Sequence, residues 1–538
     1  MTHGISFLEG LSVLSKSSPY AVSTEAVQET GSIYQQIKDQ LYIEMPIEQK
    51  VLSTIQSLQP QNKKIIFLCG SSGDGKSEIL TRCKRLLNSE IKFHLDATHS
   101  FAPNENAIQT LDRVFEDYQR GNTPLVLGIN TGMLGNYAEG GSNTVIQSNI
   151  KKYLQNNSYD DEFVFINFED YPKFVIDDEG FRADFPAKIL KRLTKSEGNL
   201  LRDIFEEDKK RSTDSKNRIL FANYELLSIP EVQKVILKLL FKVRLVRDQF
   251  ITARALLDFL FGLVAGPKYL FDNLFLGFDN ELAEKIVDFD PANFRTQEID
   301  RFILAYSLGL TGPDFQNFEK SLSSLGIDKL SDSHSFLRLF YVFKEYDVSN
   351  NYHFNFSDDF SEPLIDQYVE CYQLHMSYSG DKVDRKKLQG FYKKTIVEAV
   401  RKYINRNVRV VGKDQFLISS VNGYEVFSTL DIQPNLEEIK TESFKSNSYF
   451  HAFITVNEEK IRPFPININL LGLMKGIIEG YRPNRHDKNS VVLLDELAAD
   501  LIKVANKSHE LQMNAGQRKF ELKRIDDEDI EVSEVESA

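Results

Sequence analysis

The alternation of apolar and polar positions in the first third of the chain predicts strands separated by helices. Short apolar runs that fit buried strands lie at 64–69, 91–98, 125–130 and 162–170. Apolar residues at helical spacing lie between these runs, for example at 106–120 and 149–154. Because strands that alternate with helices form parallel sheets, we predict a doubly wound α/β core.

A complete phosphate-binding motif follows the first of these strands. The motif GxxxxGK[ST] is made by Gly70, Ser71, Ser72, Gly73, Asp74, Gly75, Lys76 and Ser77. In a strand–loop–helix setting, the backbone N–H groups of such a loop surround an anion. Lys76 would then reach the β- and γ-phosphates, and the Ser77 hydroxyl would bind Mg²⁺. The sequence therefore predicts a site for ATP and Mg²⁺.

Beyond the core the pattern becomes helical and then mixed. We predict four segments: an N-terminal helical segment at 1–60, a P-loop ATPase core at 61–182, a helical lid region at 183–345, and a mixed α+β region with an acidic tail at 346–538. A helical section directly after a P-loop core resembles the lid of an AAA-type ATPase. The predicted fold class is thus an AAA-like P-loop NTPase sheet with a helical lid and a further α+β region.

Hydrolysis of ATP requires an acidic residue near Mg²⁺, and two strand ends offer one. Asp96 follows the second apolar run, and Glu169 and Asp170 end the fourth. We favour Asp96 as the catalytic and Mg²⁺-binding carboxylate and keep Glu169 or Asp170 as the alternative. A turn carboxylate without catalytic function is the structural interpretation of either site.

Two further residues resemble the sensors of AAA-type ATPases. Asn130 ends the third strand, as the residue that positions water does, and Arg254 begins a lid helix, as the residue that contacts the γ-phosphate does. A turn asparagine and a surface arginine are the simpler interpretations. Arg244 and Arg247 are weaker candidates for an arginine that reaches a neighbouring subunit.

Composition and charge limit the classes of function that the chain can have. The 538 residues carry a formal net charge of −13, which argues against a protein that coats DNA. Basic segments at 382–394 and 401–409 favour solvated helix faces over phosphate contacts. The acidic end at 525–536 predicts a disordered tail, with docking to a basic partner as the alternative.

Several other classes of protein find little support in the sequence. The three cysteines, Cys69, Cys83 and Cys371, form no CxxC pair and fit a reducing cytoplasm, and neither a membrane span nor a secretory signal is expected. The histidines, including His94 and His99, make no metal-like cluster. The triplet 458–460 matches part of a nuclease motif only by chance, and no hydrolase nucleophile elbow is present.

Four peptides of the chain together resemble one family. The peptides at 7–23, 70–80, 94–100 and 166–172 are similar to those of DptF, also called DndF, the ATPase component of bacterial phosphorothioation-dependent restriction. The resemblance is firmest in the first 175 residues, and only the P-loop residues carry over as functional residues.

The resemblance implies a cytoplasmic ATPase subunit that acts with two partners, DptG and DptH, against DNA that lacks the phosphorothioate mark. DNA would be contacted through the complex, and the chain could also form a homo-oligomer. Two alternatives remain open from the residues: a nucleotide-sensing scaffold with little hydrolysis, and an AAA-type DNA translocase.

Overall fold

The structure of the chain is a computed structural model. It describes residues 4–19, 31–58, 63–87, 91–98, 105–177, 179–212, 215–328, 330, 332–408, 411–412, 414–442, 446, 448–516, 518–525 and 529–535. The chain divides into two compact units. Unit 1 comprises Met1–Phe174 and Ala183–Ser361, and unit 2 comprises Val175–Arg182 and Glu362–Ala538. The first three predicted segments therefore share unit 1, apart from one short hairpin.

Unit 1 is built around a four-stranded parallel sheet. Its strands are β1 (Ile65–Gly70), β2 (Lys92–His94), β3 (Leu125–Asn130) and β4 (Phe163–Asn167), in the order β2-β3-β1-β4. The sheet confirms the α/β prediction at the level of a parallel sheet among helices. All six residues of β1 are buried, as expected for a central strand covered on both faces.

Helices cover this sheet and continue beyond it. The helices that precede its first strand or connect its strands are α1 (Phe7–Leu11), α2 (Ile33–Leu41), α3 (Pro46–Gln56), α4 (Lys76–Leu86), α5 (Ala107–Arg120), α6 (Thr131–Gly140) and α7 (Thr144–Asn156). One face of β1 packs in a cluster with α5, α6 and α7, in which Phe67 stacks on Phe165 with ring centroids 4.6 Å apart. This packing is non-polar and fixes the strand that carries the motif.

The remaining helices of unit 1 follow the sheet in sequence. They are α8 (Asp184–Thr194), α9 (Leu200–Arg211), α10 (Ser215–Leu227), α11 (Pro230–Arg247), α12 (Ala253–Ala265), α13 (Leu270–Asn273), α14 (Glu281–Ile286), α15 (Gln297–Ser307), α16 (Pro313–Ser321) and α17 (Ser333–Val342). Thr252 caps α12, because its hydroxyl accepts a hydrogen bond from the N–H of Ala255 at 3.1 Å. This cap defines where the helix that carries Arg254 begins.

Unit 2 combines helices with antiparallel sheets. Its helices are α18 (Pro363–Met376), α19 (Lys382–Phe391), α20 (Glu398–Ile404), α21 (Leu436–Thr441), α22 (Ile468–Ile478) and α23 (Lys488–Ala505), with a π-helical stretch Tyr392–Val397 before α20. Its strands are β5 (Val175–Asp177), β6 (Gly180–Arg182), β7 (Gln415–Val421), β8 (Tyr424–Thr429), β9 (Ile432–Pro434), β10 (Tyr449–Ala452), β11 (Ile454–Val456), β12 (Glu459–Lys460), β13 (Phe464–Asn467), β14 (Glu510–Ala515), β15 (Arg518–Arg524) and β16 (Ile530–Val535). The largest sheet has the order β16-β15-β14-β8-β7.

The acidic tail is one place where the prediction of disorder is wrong. Residues Ile530–Val535 form β16, which pairs antiparallel with the basic strand β15. Arg518 forms a cross-strand ion pair with Glu534 at 2.7 Å, and Lys523 lies opposite Glu531. Because a neighbouring strand supplies cations, the acidic side chains need not repel one another. Residues 526–528 and 536, also part of the predicted tail, lie outside the described residues.

One strand prediction also needs correction. The apolar run 91–98 forms a strand only over Lys92–His94, and a turn follows it, in which the N–H of Thr98 donates to Asp96 Oδ1 at 2.9 Å. As for membrane spans, none of the helices in the described part of the chain combines the length and the apolar character that crossing a bilayer requires.

Candidate nucleotide site

The phosphate-binding motif forms the connection between β1 and α4. Gly73 lies in this loop with φ +84, a left-handed conformation that glycine adopts without strain. A Cβ atom at Gly73 would stand 3.0 Å from Cβ of Arg254. The N–H of Arg254 donates to the carbonyl of Gly73 at 3.0 Å. The start of α12 is therefore held directly against the loop.

Lys76 and Ser77 begin α4 with their side chains turned toward the loop and the sheet. The Lys76 ammonium donates to the carbonyls of Ser71 at 2.7 Å and Gly70 at 3.2 Å. Burial lowers the pKa of Lys76, while the charges of Asp74 and Asp96 oppose that shift. A polyanion at the loop would favour the protonated form in the same way.

The strand order brings Asp96 and Asn130 to the loop. Asn130 pairs with Gly70 in the register of β3 on β1. The Ser77 hydroxyl donates to the carbonyl of Leu95 at 3.2 Å, one residue before Asp96. The N–H of Ala97 donates to the carbonyl of Gly128 at 3.0 Å, so that the chain on both sides of Asp96 is attached to its neighbours.

A glycine on β3 makes this attachment possible. A Cβ atom at Gly128 would lie 2.7 Å from the carbonyl oxygen of Leu95, closer than a side chain can stand. The same oxygen accepts the hydrogen bond from Ser77. Gly128 therefore lets the segment with Asp96 approach both the sheet and the start of α4, a role that the sequence analysis missed.

Glu169 and Asp170 occupy the other side of β1. They end the 3₁₀ turn Phe168–Asp170 that follows β4, and both side chains are exposed. The N–H of Glu169 donates to the Asn167 side chain at 3.2 Å. Neither carboxylate lines the cavity above the loop, whereas Asp96 does. Of the two alternatives, the structure brings only Asp96 together with the motif.

Arg254 lies at the same cavity on the lid side. Its backbone is fixed by Gly73, and its Nε is buried with no hydrogen-bond partner among the described residues. By contrast, Arg244 and Arg247 form ion pairs within the chain, to Asp248 and Asp288, each at 2.7 Å. Arg254 is therefore the arginine that the structure places beside Lys76.

A buried ion pair beneath the loop was not predicted. Lys173 donates to Asp74 Oδ1 at 2.8 Å, and Asp74 Oδ2 accepts the N–H of Ser71 at the same distance. The two side chains are 4% and 0% exposed. The signal in the sequence is the acidic residue inside the motif, because a carboxylate buried there requires a cation. Nothing in the local pattern indicates that this cation is Lys173.

The cavity above the loop is lined by polar and by apolar residues. It measures about 430 Å³, within the range of small-molecule sites. The polar lining includes the motif with Asp96, Asn130 and Arg254, and the ion pair of Lys38 with Glu78 at 2.8 Å. The apolar lining comes from the N-terminal segment and from the lid, namely Val13, Leu14, Leu41, Tyr42, Ile43, Met45, Phe185, Ile189 and Leu257. The sequence analysis assigned no functional role to the N-terminal residues of this lining.

The oxygen atoms of the polar lining suit Mg²⁺ as ligands. The Ser77 hydroxyl and the Asp96 carboxylate are hard oxygen ligands, and both line the cavity. Throughout the ranges that the structure describes, no group of three or more His, Cys, Asp or Glu side chains is placed to hold a metal. A site with two protein oxygens would leave the other positions of Mg²⁺ to phosphate and water, as that ion prefers. Of the two histidines named in the sequence analysis, His94 belongs to no such group, and His99 lies outside the described residues.

No protein-family model, no curated protein and no solved structure matches the chain.

Proposed function

We propose that the chain binds and hydrolyses ATP with Mg²⁺. The observation that carries this proposal is the convergence of Lys76, Ser77, Asp96, Asn130 and Arg254 on one cavity. These residues come from β1–α4, from the ends of β2 and β3, and from α12, which are distant in sequence. They include each type of group that phosphoryl transfer to water requires.

The polar lining of the cavity suits the phosphates of a nucleotide, and the apolar lining suits its base. The loop N–H groups and Lys76 would hold the phosphates. A flat base would be buried against the apolar lining, between the N-terminal segment and α12. Because Arg254 and Leu257 both belong to α12, binding would join that helix to the phosphates and to the base.

Each polar residue has a distinct role in the proposed reaction. Mg²⁺, held by Ser77 and Asp96, would supply positive charge to the phosphate oxygens. The Asn130 amide would orient the attacking water through a hydrogen bond, because it lies beside Gly70 at the end of β3. Lys76 and Arg254 would stabilise the charge that develops on the transferred phosphoryl group.

The resemblance to DptF gives this ATPase a proposed biological setting. The chain would be the ATPase subunit of a phosphorothioation-dependent restriction complex in the cytoplasm, with DptG-like and DptH-like partners. Binding of ATP would order the lid and neighbouring subunits, and hydrolysis would reset them; this cycle would power or gate damage to DNA that lacks the mark. A nucleotide-sensing scaffold and an AAA-type DNA translocase are the competing functions.

The test is turnover by the full chain and by Lys76→Ala. We expect the variant to lose about a hundredfold or more in kcat, because it lacks a charge at the β- and γ-phosphates. Lys84→Ala is the matched control, since Lys84 lies on the exposed face of the same helix and does not line the cavity. Its turnover should equal that of the wild type.

Restriction assays in cells separate the competing functions. If the chain powers the complex, Lys76→Ala abolishes ATP turnover and restriction together. Restriction that survives without turnover would favour the scaffold. Absence of ATP binding by the wild type would overturn the proposal.

A further inference from the structure

Unit 2 contains a basic groove that the nucleotide site does not use. The groove measures about 960 Å³ and is formed where α20 ends, where α22 ends, and where the following loop leads into α23. Six cationic side chains line it: Arg401, Lys402, Arg406, Arg482, Arg485 and Lys488. No aspartate or glutamate does so among the residues that the structure describes. In a chain with a net charge of −13, this is a local reversal of charge.

Three of these cations are available to a ligand. Arg482, Arg485 and Lys488 are exposed, and among the described residues they form no ion pair. The others are partly engaged: Arg401 bonds to Glu398 at 2.9 Å, and Lys402 donates to the carbonyl of Ile478 at 2.6 Å. The cations without an ion-pair partner therefore supply most of the positive field of the groove.

An aromatic ring is fixed beside the free cations. Tyr481 lines the groove with 43% of its surface exposed. Its hydroxyl donates to Asp487 at 2.8 Å and accepts from the Asn484 amide at 2.6 Å. These bonds hold the ring in place, so that a planar group could stack on it without further ordering of the side chain.

Size and chemistry together select the ligand. Repeated cations, in a groove that no described aspartate or glutamate lines, match a chain of phosphates, and a fixed aromatic ring matches a base. A concave site of this volume admits a few unpaired nucleotides. The helix faces expected at 401–409 are thus one wall of a larger site, because the 482–488 segment completes it; Arg409 lies outside the described residues.

We propose that this groove binds single-stranded nucleic acid through its phosphates and through Tyr481. The inference stands on unit 2 alone and does not depend on the nucleotide site.

The test measures binding of the full chain to a fluorescent oligothymidylate of about 12 nucleotides by anisotropy at several salt concentrations. We expect the triple variant R482A/R485A/K488A to bind about tenfold or more weakly at 0.1 M salt, with a log–log salt slope shallower by about 2. Tyr481→Ala should weaken binding about tenfold without changing the slope, because it removes stacking and no charge.

A matched control removes the same charge elsewhere. K386A/K393A/K394A changes three exposed lysines that do not line the groove, and its affinity should stay within about twofold of the wild type. R482K/R485K keeps the charge and should retain the salt slope, which separates loss of contact from loss of folding. Equal weakening by both triple variants would overturn the proposal. So would absence of binding by the wild type, tighter binding of a duplex of equal length, or binding of phosphatidylserine vesicles only.

Discussion

The two sides of the central strand β1 carry acidic residues with different surroundings. On the β3 side, Asp96 and Asn130 line the cavity, and Ser77 bonds to the residue before Asp96. On the β4 side, Glu169 and Asp170 are exposed, and the buried cation Lys173 pairs with Asp74 beneath the loop. The strand order thus decides which strand-end carboxylate reaches the cavity and which one stays at the surface. We infer that the β3 side performs the chemistry and that the β4 side supports the loop.

Removal of the buried ion pair between Lys173 and Asp74 should have the largest effect on stability. Lys173→Met leaves the Asp74 carboxylate buried without its cation, which costs about 3–5 kcal/mol in the free energy of unfolding. Denaturant titration measures this loss. The double variant D74N/K173M should recover part of it, because no unpaired charge remains, and Lys173→Arg should retain ATP binding. A wild-type unfolding curve for Lys173→Met would show that the β4 side does not hold the loop.

Arg254 tests the chemistry contributed by the lid. Arg254→Ala should lower kcat about a hundredfold, or about 2.7 kcal/mol, since it removes a cation from the developing charge. Arg244→Ala is the control, because that arginine pairs with Asp248 away from the cavity, and its kcat should be unchanged. Equal losses in the two variants would mean that Arg254 contributes no more than a surface arginine.

Substitution of Gly128 tests whether turnover depends on the position of Asp96, because the Asp96 carboxylate itself is unchanged. In Gly128→Ala the new methyl group displaces the carbonyl of Leu95, and we expect kcat to fall about tenfold and stability to fall by about 1–3 kcal/mol. Gly132→Ala, where a methyl group meets nothing within 4 Å, is the control. Turnover that survives Gly128→Ala would argue against placement of Asp96 by β3.

The smallest expected effect is a shift in the pH dependence of ATP affinity, which compares Asp96 with Asp170 through the pKa of Lys76. Burial lowers the pKa of Lys76, so that its charge, and affinity for phosphate, are lost on the alkaline side earlier than for an exposed lysine. The charge of Asp96 raises that pKa, and Asp96→Asn should therefore move the loss of affinity to lower pH. Asp170→Asn should leave it in place. Affinity measured by calorimetry between neutral and alkaline pH distinguishes the two sides.

The sequence predicted the part of the site that is local in the chain. The strand before the motif and the helix after it could be located because a buried strand and a helical stripe leave clear patterns. The choice between Asp96 and Asp170 could not be made in this way, because it depends on which strands flank β1. That order is set by packing between distant segments.

The supporting residues were beyond the reach of local patterns for the same reason. Lys173 meets Asp74 across 99 positions of sequence, and Gly128 meets Leu95, the residue that follows another strand. Only one wall of the basic groove could be predicted, because 401–409 is basic in sequence. The other wall comes from 482–488, which is distant in sequence. The acidic tail was misjudged because its partner strand β15 supplies the opposite charge.

The most direct measurement compares Asp96→Asn with Asp170→Asn and Glu169→Gln in steady-state ATP turnover at varied Mg²⁺. Each change removes one carboxylate charge and keeps the size of the side chain. The account predicts that Asp96→Asn lowers kcat about a hundredfold or more and raises the Mg²⁺ concentration needed, while the other two stay within about twofold of the wild type. Normal turnover by Asp96→Asn, together with loss of turnover in Asp170→Asn or Glu169→Gln, would contradict it.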